Sequence, residues 1–259
     1  MALASKDDIE LFNHNPRAVS LVQPGHSRKY QHYFGGSLSE YGLTVSCGSS
    51  MYVVYLLDAA DPLCPIKLRR QHIPLCYGFR FGGNDTAYRI ERNTLQIIQP
   101  DRKRLEPEHP YPDYPDHFPQ QQVVLRRHAY NPRKVDDAIM HSAFFGLAHV
   151  PDRTLTKVAD QLDTYGDWDD VDLSGTTREQ YLKENPSYMP LSQGIPDSAC
   201  VFKQCPKHGV NGAMQTVGFH PGFLEEYETV MWGPGIDMVS LIFQLCRYCG
   251  TFYVSNQCT

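Results

Sequence analysis

Two short turns constrain what this chain can fold into more than anything else in it. "KQCPKHG" sets Cys205 and His208 two residues apart with Gly209 behind them, and "QLCRYCG" repeats the spacing with Cys246, Cys249 and Gly250. Thirty-seven residues lie between the two halves. Tetrahedral zinc takes four thiolate or imidazole ligands, and two such turns can supply them from opposite sides. A glycine after each turn suits a tight bend around an ion, because a residue without Cβ accepts left-handed dihedrals. The spacing predicts a structural Zn2+ on Cys205, His208, Cys246 and Cys249 that staples two β-hairpins, so that metal binding becomes folding energy. Cys258 and His220 stand as reserve ligands.

The remaining cysteines read differently. The start, "MALASKDDIELFNHNP", has acids where an export signal needs a basic region and an apolar run. The expectation is a cytoplasmic protein whose thiols stay free or bind metal. Cys47, Cys64 and Cys76, in or beside apolar stretches, and Cys200, between "DSA" and "VF", read as small buried hydrophobes. No apolar run approaches the roughly 18 residues of a membrane span, so no membrane partner is expected. A net charge of −5 argues against a nucleic-acid partner. The basic runs "KLRR" at 67–70 and "DRKR" at 101–104 read as solvated faces.

With 259 residues, 41% hydrophobic and 20% charged, the chain has a globular composition and the length of one large domain or two ordinary ones. Residues 41–57 and 86–99 and "QQVVLRRHAY" combine β-branched and aromatic residues as half-buried strands do. Five prolines in "LEPEHPYPDYPDHFP" forbid helix over 105–119, and His109, Tyr111, Tyr114, His117 and Phe118 can pin that arm to a surface. Leu155, Val158, Ala159, Leu162 and Tyr165 fall at helical spacing, with Asp152 as N-cap and Gly166 as stop. A shorter helix is expected at 177–184, with Thr176 and Glu179 at capping-box spacing and Pro186 beyond it. The loop between these helices carries Asp167, Asp169, Asp170 and Asp172 but lacks the glycine and glutamate of a calcium loop. From 198 onward, "SACVFK", "AMQTVGF", "YETVMW", "MVSLIFQL" and "TFYVSN" read as strands of a meander. The expected fold is α+β: mostly antiparallel sheet, two or three helices and a C-terminal zinc-ribbon-like β segment. Its expected division is a β-rich half over 1–150, then a helical connection and clipped β segment over 151–259, the two able to form one continuous domain.

Catalytic motifs are missing. Glu225, Glu226 and Glu228 lie between the two turns, but there is no H-E-x-x-H, and Leu245 rather than proline precedes Cys246, unlike the zinc deaminases. "FRFGGND" and "HYFGGSLSEYG" match neither the dinucleotide fingerprint nor the P-loop. The expectation is a non-enzymatic protein-binding protein. The alternative is a metal-dependent hydrolase with an unrecognised active site.

The order "CPKHG", Met214, "VGF", "MWGPG", "IFQLCRYCG" and a closing "QC" resembles the C-terminal part of the YwqG-like family of bacterial proteins. The resemblance covers residues 200–258, and His208 stands where the family pattern has cysteine. Similar proteins are often encoded beside polymorphic toxins, so the resemblance implies an immunity or partner-binding role with a toxin domain as the partner. The candidate contact surface is Asp167, Asp169, Asp170 and Asp172 together with Tyr111, Tyr114 and Phe118, acids that would steer association with a basic cleft.

Overall fold

The computed structural model describes residues 9–12, 19–46, 51–78, 85–98, 117–163, 171–186, 199–220, 223–224, 229–230 and 239–258. Its strands are β1 (Ile9–Phe12), β2 (Val19–Pro24), β3 (His32–Phe34), β4 (Thr44–Val45), β5 (Tyr52–Asp58), β6 (His72–Tyr77), β7 (Thr86–Glu91), β8 (Thr94–Ile97) and β9 (Gln121–His128). They continue after the helices as β10 (Met214–His220), β11 (Phe223–Leu224), β12 (Thr229–Val230), β13 (Val239–Cys246) and β14 (Phe252–Cys258). The helices are α1 (Val135–Phe145), α2 (Asp152–Asp163) and α3 (Arg178–Glu184). The fold is therefore α+β, as its sequence pattern predicts. No described helix is long and apolar enough to cross a membrane.

The chain divides elsewhere than at residue 150. One unit comprises Met1–His14, Ser20–Arg127 and Asp197–Thr259, and the other comprises Asn15–Val19 and His128–Pro196. The reason is strand pairing: the C-terminal strands enter the same sheet as the N-terminal ones. Twelve strands line up in the order β4-β8-β7-β14-β13-β10-β1-β2-β9-β3-β5-β6. β14 pairs antiparallel with β7, Phe252 opposite Tyr88, and β10 pairs antiparallel with β1, Phe219 opposite Glu10. Sequence read in order cannot show this, because hydrophobic alternation reports a strand and not its neighbour.

Local chemistry accounts for the strands. β5, "YVVYLLD", is buried at every position, and such β-branched and aromatic runs suit a strand covered on both faces. β6 ends the sheet and carries Pro74, which an edge strand tolerates because it need not donate on its outer side. The run 86–99 is two strands, β7 and β8, joined through Arg92 and Asn93. "SACVFK" forms no strand; Cys200 and His208 instead share an isolated parallel bridge.

Aromatic rings fill the core of the sheet unit. Tyr88 stacks on Phe252 with centroids 5.1 Å apart, and its hydroxyl donates to the Pro74 carbonyl at 3.0 Å while accepting from the Cys76 N–H at 2.9 Å. Burial pushes the Tyr88 phenol well above its usual range, so it stays a neutral donor. Phe118 stacks on Phe34 at 5.7 Å and is 1% exposed. That corrects its expected place on a partner surface: it is a core residue. The backbone of residues 118–119 lies so close to Gly35 (φ 68°) that a Cβ there would sit 2.3 Å from the Pro119 carbonyl oxygen. Tyr111 and Tyr114 lie outside the described residues.

In the helical unit, Leu155, Val158, Ala159 and Leu162 of α2 are buried with Ala138 and Ile139 of α1 and Leu182 of α3. α2 begins at Asp152 itself, and the Pro151 carbonyl accepts from the Leu155 N–H at 3.1 Å. The cap of α3 is Thr177, whose hydroxyl accepts from the Gln180 N–H at 3.2 Å, one residue beyond the expected Thr176.

Replacing Phe118 with alanine removes a buried ring from the stack and should cost about 3–5 kcal/mol of stability. Urea denaturation reads this directly. A residue serving only a partner would leave the midpoint where it is.

Candidate metal centre

The turn that closes the β13–β14 hairpin builds half of the site. β13 and β14 hold register from Val239 opposite Cys258 to Leu245 opposite Phe252, which delivers Cys246 to the end of the ladder. The Cys246 N–H donates to the Thr251 carbonyl and the Gly250 N–H to the Cys246 carbonyl, each at 2.8 Å. Gly250 adopts φ 72°, the left-handed bend that returns the chain after Cys249.

The loop before β10 builds the other half. The Cys205 N–H donates to the Phe202 carbonyl at 2.9 Å, the His208 N–H to the Cys205 carbonyl at 3.0 Å and the Gly209 N–H to the Cys200 carbonyl at 3.2 Å. Gly209 has φ 70° with nothing within 4 Å of a would-be Cβ, so conformation and not space demands glycine there. The loop closes back on Cys200 and places its side chain beside that of Cys205.

The sulfurs of Cys200, Cys205, Cys246 and Cys249 all lie within 4.8 Å of one another. Cys200 Sγ is 3.5 Å from Cys249 Sγ, and Cys205 Sγ is 3.7 Å from Cys246 Sγ. These separations far exceed the roughly 2.0 Å of a disulfide. Four sulfurs at about 2.3 Å from a tetrahedral ion stand about 3.8 Å apart. The donor set thus fits a four-coordinate soft metal.

Three of the four expected ligands are in the cluster; the fourth corner differs. Cys200 occupies it, and His208 does not. The exposed His208 turns its ring to the backbone, with Nδ1 2.9 Å from the Cys200 carbonyl oxygen. An oxygen there can only accept, so Nδ1 carries the proton and braces the loop backbone at Cys200. Cys200 is missed in the sequence because four residues, not two, separate it from Cys205. The usable signal is that it shares one short loop with a Cys-x-x-His turn. The reserve ligands are also placed elsewhere. His220 packs its ring against Tyr55 at 5.6 Å and Phe34 at 6.1 Å. Cys258 ends β14 six residues after Phe252, about 20 Å along the strand from the hairpin turn.

The surroundings are dry on one side and hydrogen-bonded on the other. Cys200, Cys205 and Cys246 are buried with Ala213 and Met214, and Phe202 and Tyr253 pack on them. Burial pushes the Cys200 and Cys246 thiols up. Burial also acts against the Cys249 thiolate, but hydrogen bonds from Thr251, through its hydroxyl and its backbone N–H, carry that group below the usual thiol range. The Lys207 N–H donates to Cys205 Sγ at 3.3 Å, a contact of the kind that would orient a ligating sulfur.

Elsewhere in the same unit, His32 and Asp61 look like a catalytic pair and are a brace. His32 Nδ1 accepts from the Asp58 N–H at 3.1 Å, so Nε2 bears the proton and donates to Asp61 at 2.9 Å. Both are buried, and the second Asp61 oxygen accepts from the Leu63 N–H at 2.8 Å. Of the acidic loop, Asp172 is exposed and accepts from the Ser174 hydroxyl and N–H, which hold its carboxyl below the usual range. Asp167, Asp169 and Asp170, with Glu225, Glu226 and Glu228, lie outside the described residues.

Cobalt substitution distinguishes the two candidate fourth ligands. Cys200→Ser should weaken cobalt binding by at least about 10–100-fold, the loss already seen when outer-shell partners are removed. His208→Gln should keep the absorption of a four-thiolate site. The reverse pattern would return His208 to the metal.

No family model, no curated protein and no solved structure matches this chain.

Proposed function

We propose that the four cysteines hold a structural zinc ion and that the protein acts by binding a protein partner, with no reaction at the metal. One observation carries the reading: four sulfurs within 4.8 Å of one another make a closed coordination shell. Catalytic zinc keeps a position open for water, and closed four-ligand sites are structural. Among divalent metals, an all-thiolate tetrahedral set favours zinc. When bound, zinc would supply a crosslink between the 200–205 loop and the β13–β14 turn. The alternative of a metal-dependent hydrolase requires a coordination position open to water, and four thiolates would fill a tetrahedral shell.

The crosslink would fix a small outward surface. Val210 and Tyr248 are exposed large apolar residues, 49% and 45% accessible. Lys207 and Arg247 lie over the Tyr248 ring, 5.6 and 5.2 Å from its centroid. Aromatic and arginine side chains on a rigid support are the usual anchors of protein interfaces. The acidic loop of Asp167, Asp169, Asp170 and Asp172 would add selectivity for a basic partner. In line with the resemblance drawn from the sequence, the partner proposed is a toxin domain that the protein neutralises by occlusion.

Elemental analysis should find one zinc per chain, and a strong chelator should lower the melting temperature without abolishing any turnover. Affinity purification from the native host should then recover a stoichiometric partner encoded nearby, and Tyr248→Ala should release it. Zinc that exchanges freely while the fold stays intact would sink the structural reading, and failure to bind any neighbouring gene product would sink the partner.

A further inference from the structure

A second site in the sheet unit is independent of the protein-partner reading. A cleft of about 810 Å3 opens between the β7–β8 hairpin, the segment 68–74 and the turn near Tyr41, and the second cysteine turn forms part of its wall. Its volume falls within the roughly 300–1,000 Å3 of small-molecule pockets. Four arginines line it, Arg69, Arg70, Arg89 and Arg92, against a single acid, Glu40. The chain as a whole has 29 acids against 24 bases, so this concavity reverses the sign of the molecule.

Glu40, whose carboxylate accepts from the Ser37 N–H at 2.7 Å, offsets one of the four charges and leaves the cleft positive. Arg70 is half-buried and its Nε donates to the His72 carbonyl at 2.6 Å, which aims the rest of the guanidinium. Among the described residues no carboxylate lies within ion-pair distance of Arg69, Arg70 or Arg92. Burial lowers the Arg70 pKa, a cost that an arriving anion would offset. Arg89 is held in place by Phe202, whose ring centroid lies 4.2 Å from the guanidinium carbon, and by Glu91 at 3.5 Å. Arg92 has φ 54°, the left-handed region that asparagine or glycine occupies with less strain. Arginine at that hairpin tip therefore carries local backbone strain.

The other wall is aromatic. The Tyr33 and Tyr41 rings lie 6.0 Å apart, tilted by 38°. The Tyr41 hydroxyl is tied down, donating to the Gly35 carbonyl at 2.8 Å and accepting from Gln120 Nε2 at 3.0 Å. Guanidinium forks match phosphate oxygens two at a time, and phenol rings offer a face for stacking.

We propose that this cleft binds a small organic polyphosphate, its clustered phosphates gripped by the arginines and a flat ring laid against Tyr33 and Tyr41. Nucleoside di- and triphosphates are ligands of this chemistry. Titration calorimetry of the zinc-loaded chain at low ionic strength should show one saturable site for ATP, weaker binding of pyrophosphate and none of adenosine. Arg70→Gln and Arg92→Asn should each weaken ATP binding by about tenfold or more, as the loss of a charged hydrogen-bonded contact does. Arg92→Asn should melt at or above the parent temperature, because asparagine accepts the left-handed turn, which separates lost binding from lost fold. Absence of saturable binding at millimolar ATP, or full affinity in both variants, would overturn the proposal. Equal affinity for pyrophosphate and ATP would remove the ring from the tyrosine wall, and tighter binding of a single-stranded oligonucleotide would replace the small ligand with a nucleic acid.

Discussion

Four thiols from two loops meet in a space one ion wide, and the C-terminal architecture depends on that meeting. Without a metal, buried sulfurs at van der Waals distance gain little, and burial raises the Cys200 and Cys246 thiols above their ordinary range. A tetrahedral cation converts the same geometry into strong bonds. The loop between Cys200 and Gly209 makes no regular ladder of its own beyond a single bridge. Backbone turns order it, and a metal on the four cysteines would crosslink it to the β13–β14 hairpin.

The cysteine cluster joins a sheet assembled from both ends of the chain. β13 and β14 lie between β7 and β10, and β10 pairs with β1. Such pairing closes long loops, whose entropy cost must be met by burial and by crosslinks. The helical segment 128–196 falls in a separate unit. An excursion of that size separates β9 from β10, so the cysteine cluster sits where the chain re-enters the sheet.

Much of this was legible in residues, and the failures have physical causes. The glycines after each cysteine turn announced left-handed bends, and Gly209 and Gly250 both adopt them. The α2 stripe was legible because helical spacing states its own buried face. Cys200 was not, because an irregular spacer hides a ligand that only loop closure brings round. Phe118 reads as a surface residue because proline-rich arms with aromatic residues often serve as ligands, whereas its partner, Phe34, lies far away in sequence. α1 escaped because "AIMHSAFF" is apolar on too many sides for a stripe to stand out. Strand order escaped for a general reason: alternation fixes which face is buried and leaves the neighbour to tertiary pairing.

The cysteine cluster and the arginine cleft share parts. Phe202, between Cys200 and Cys205 of the cluster, carries the Arg89 guanidinium on its ring. Cys249 and Gly250 form part of the cleft wall, and a Cβ on Gly250 would lie 3.9 Å from Leu68, next to Arg69 and Arg70. Ordering one site therefore orders two of the segments that line the other. Where two ligands favour the same ordered state, each strengthens the other by the same factor. A polyphosphate in the cleft would then hold the cysteine loops closed, and the ion would hold the arginines aimed. Global charge misses this because it averages over a surface on which four guanidinium groups, spaced along the chain from 69 to 92, converge on one concavity.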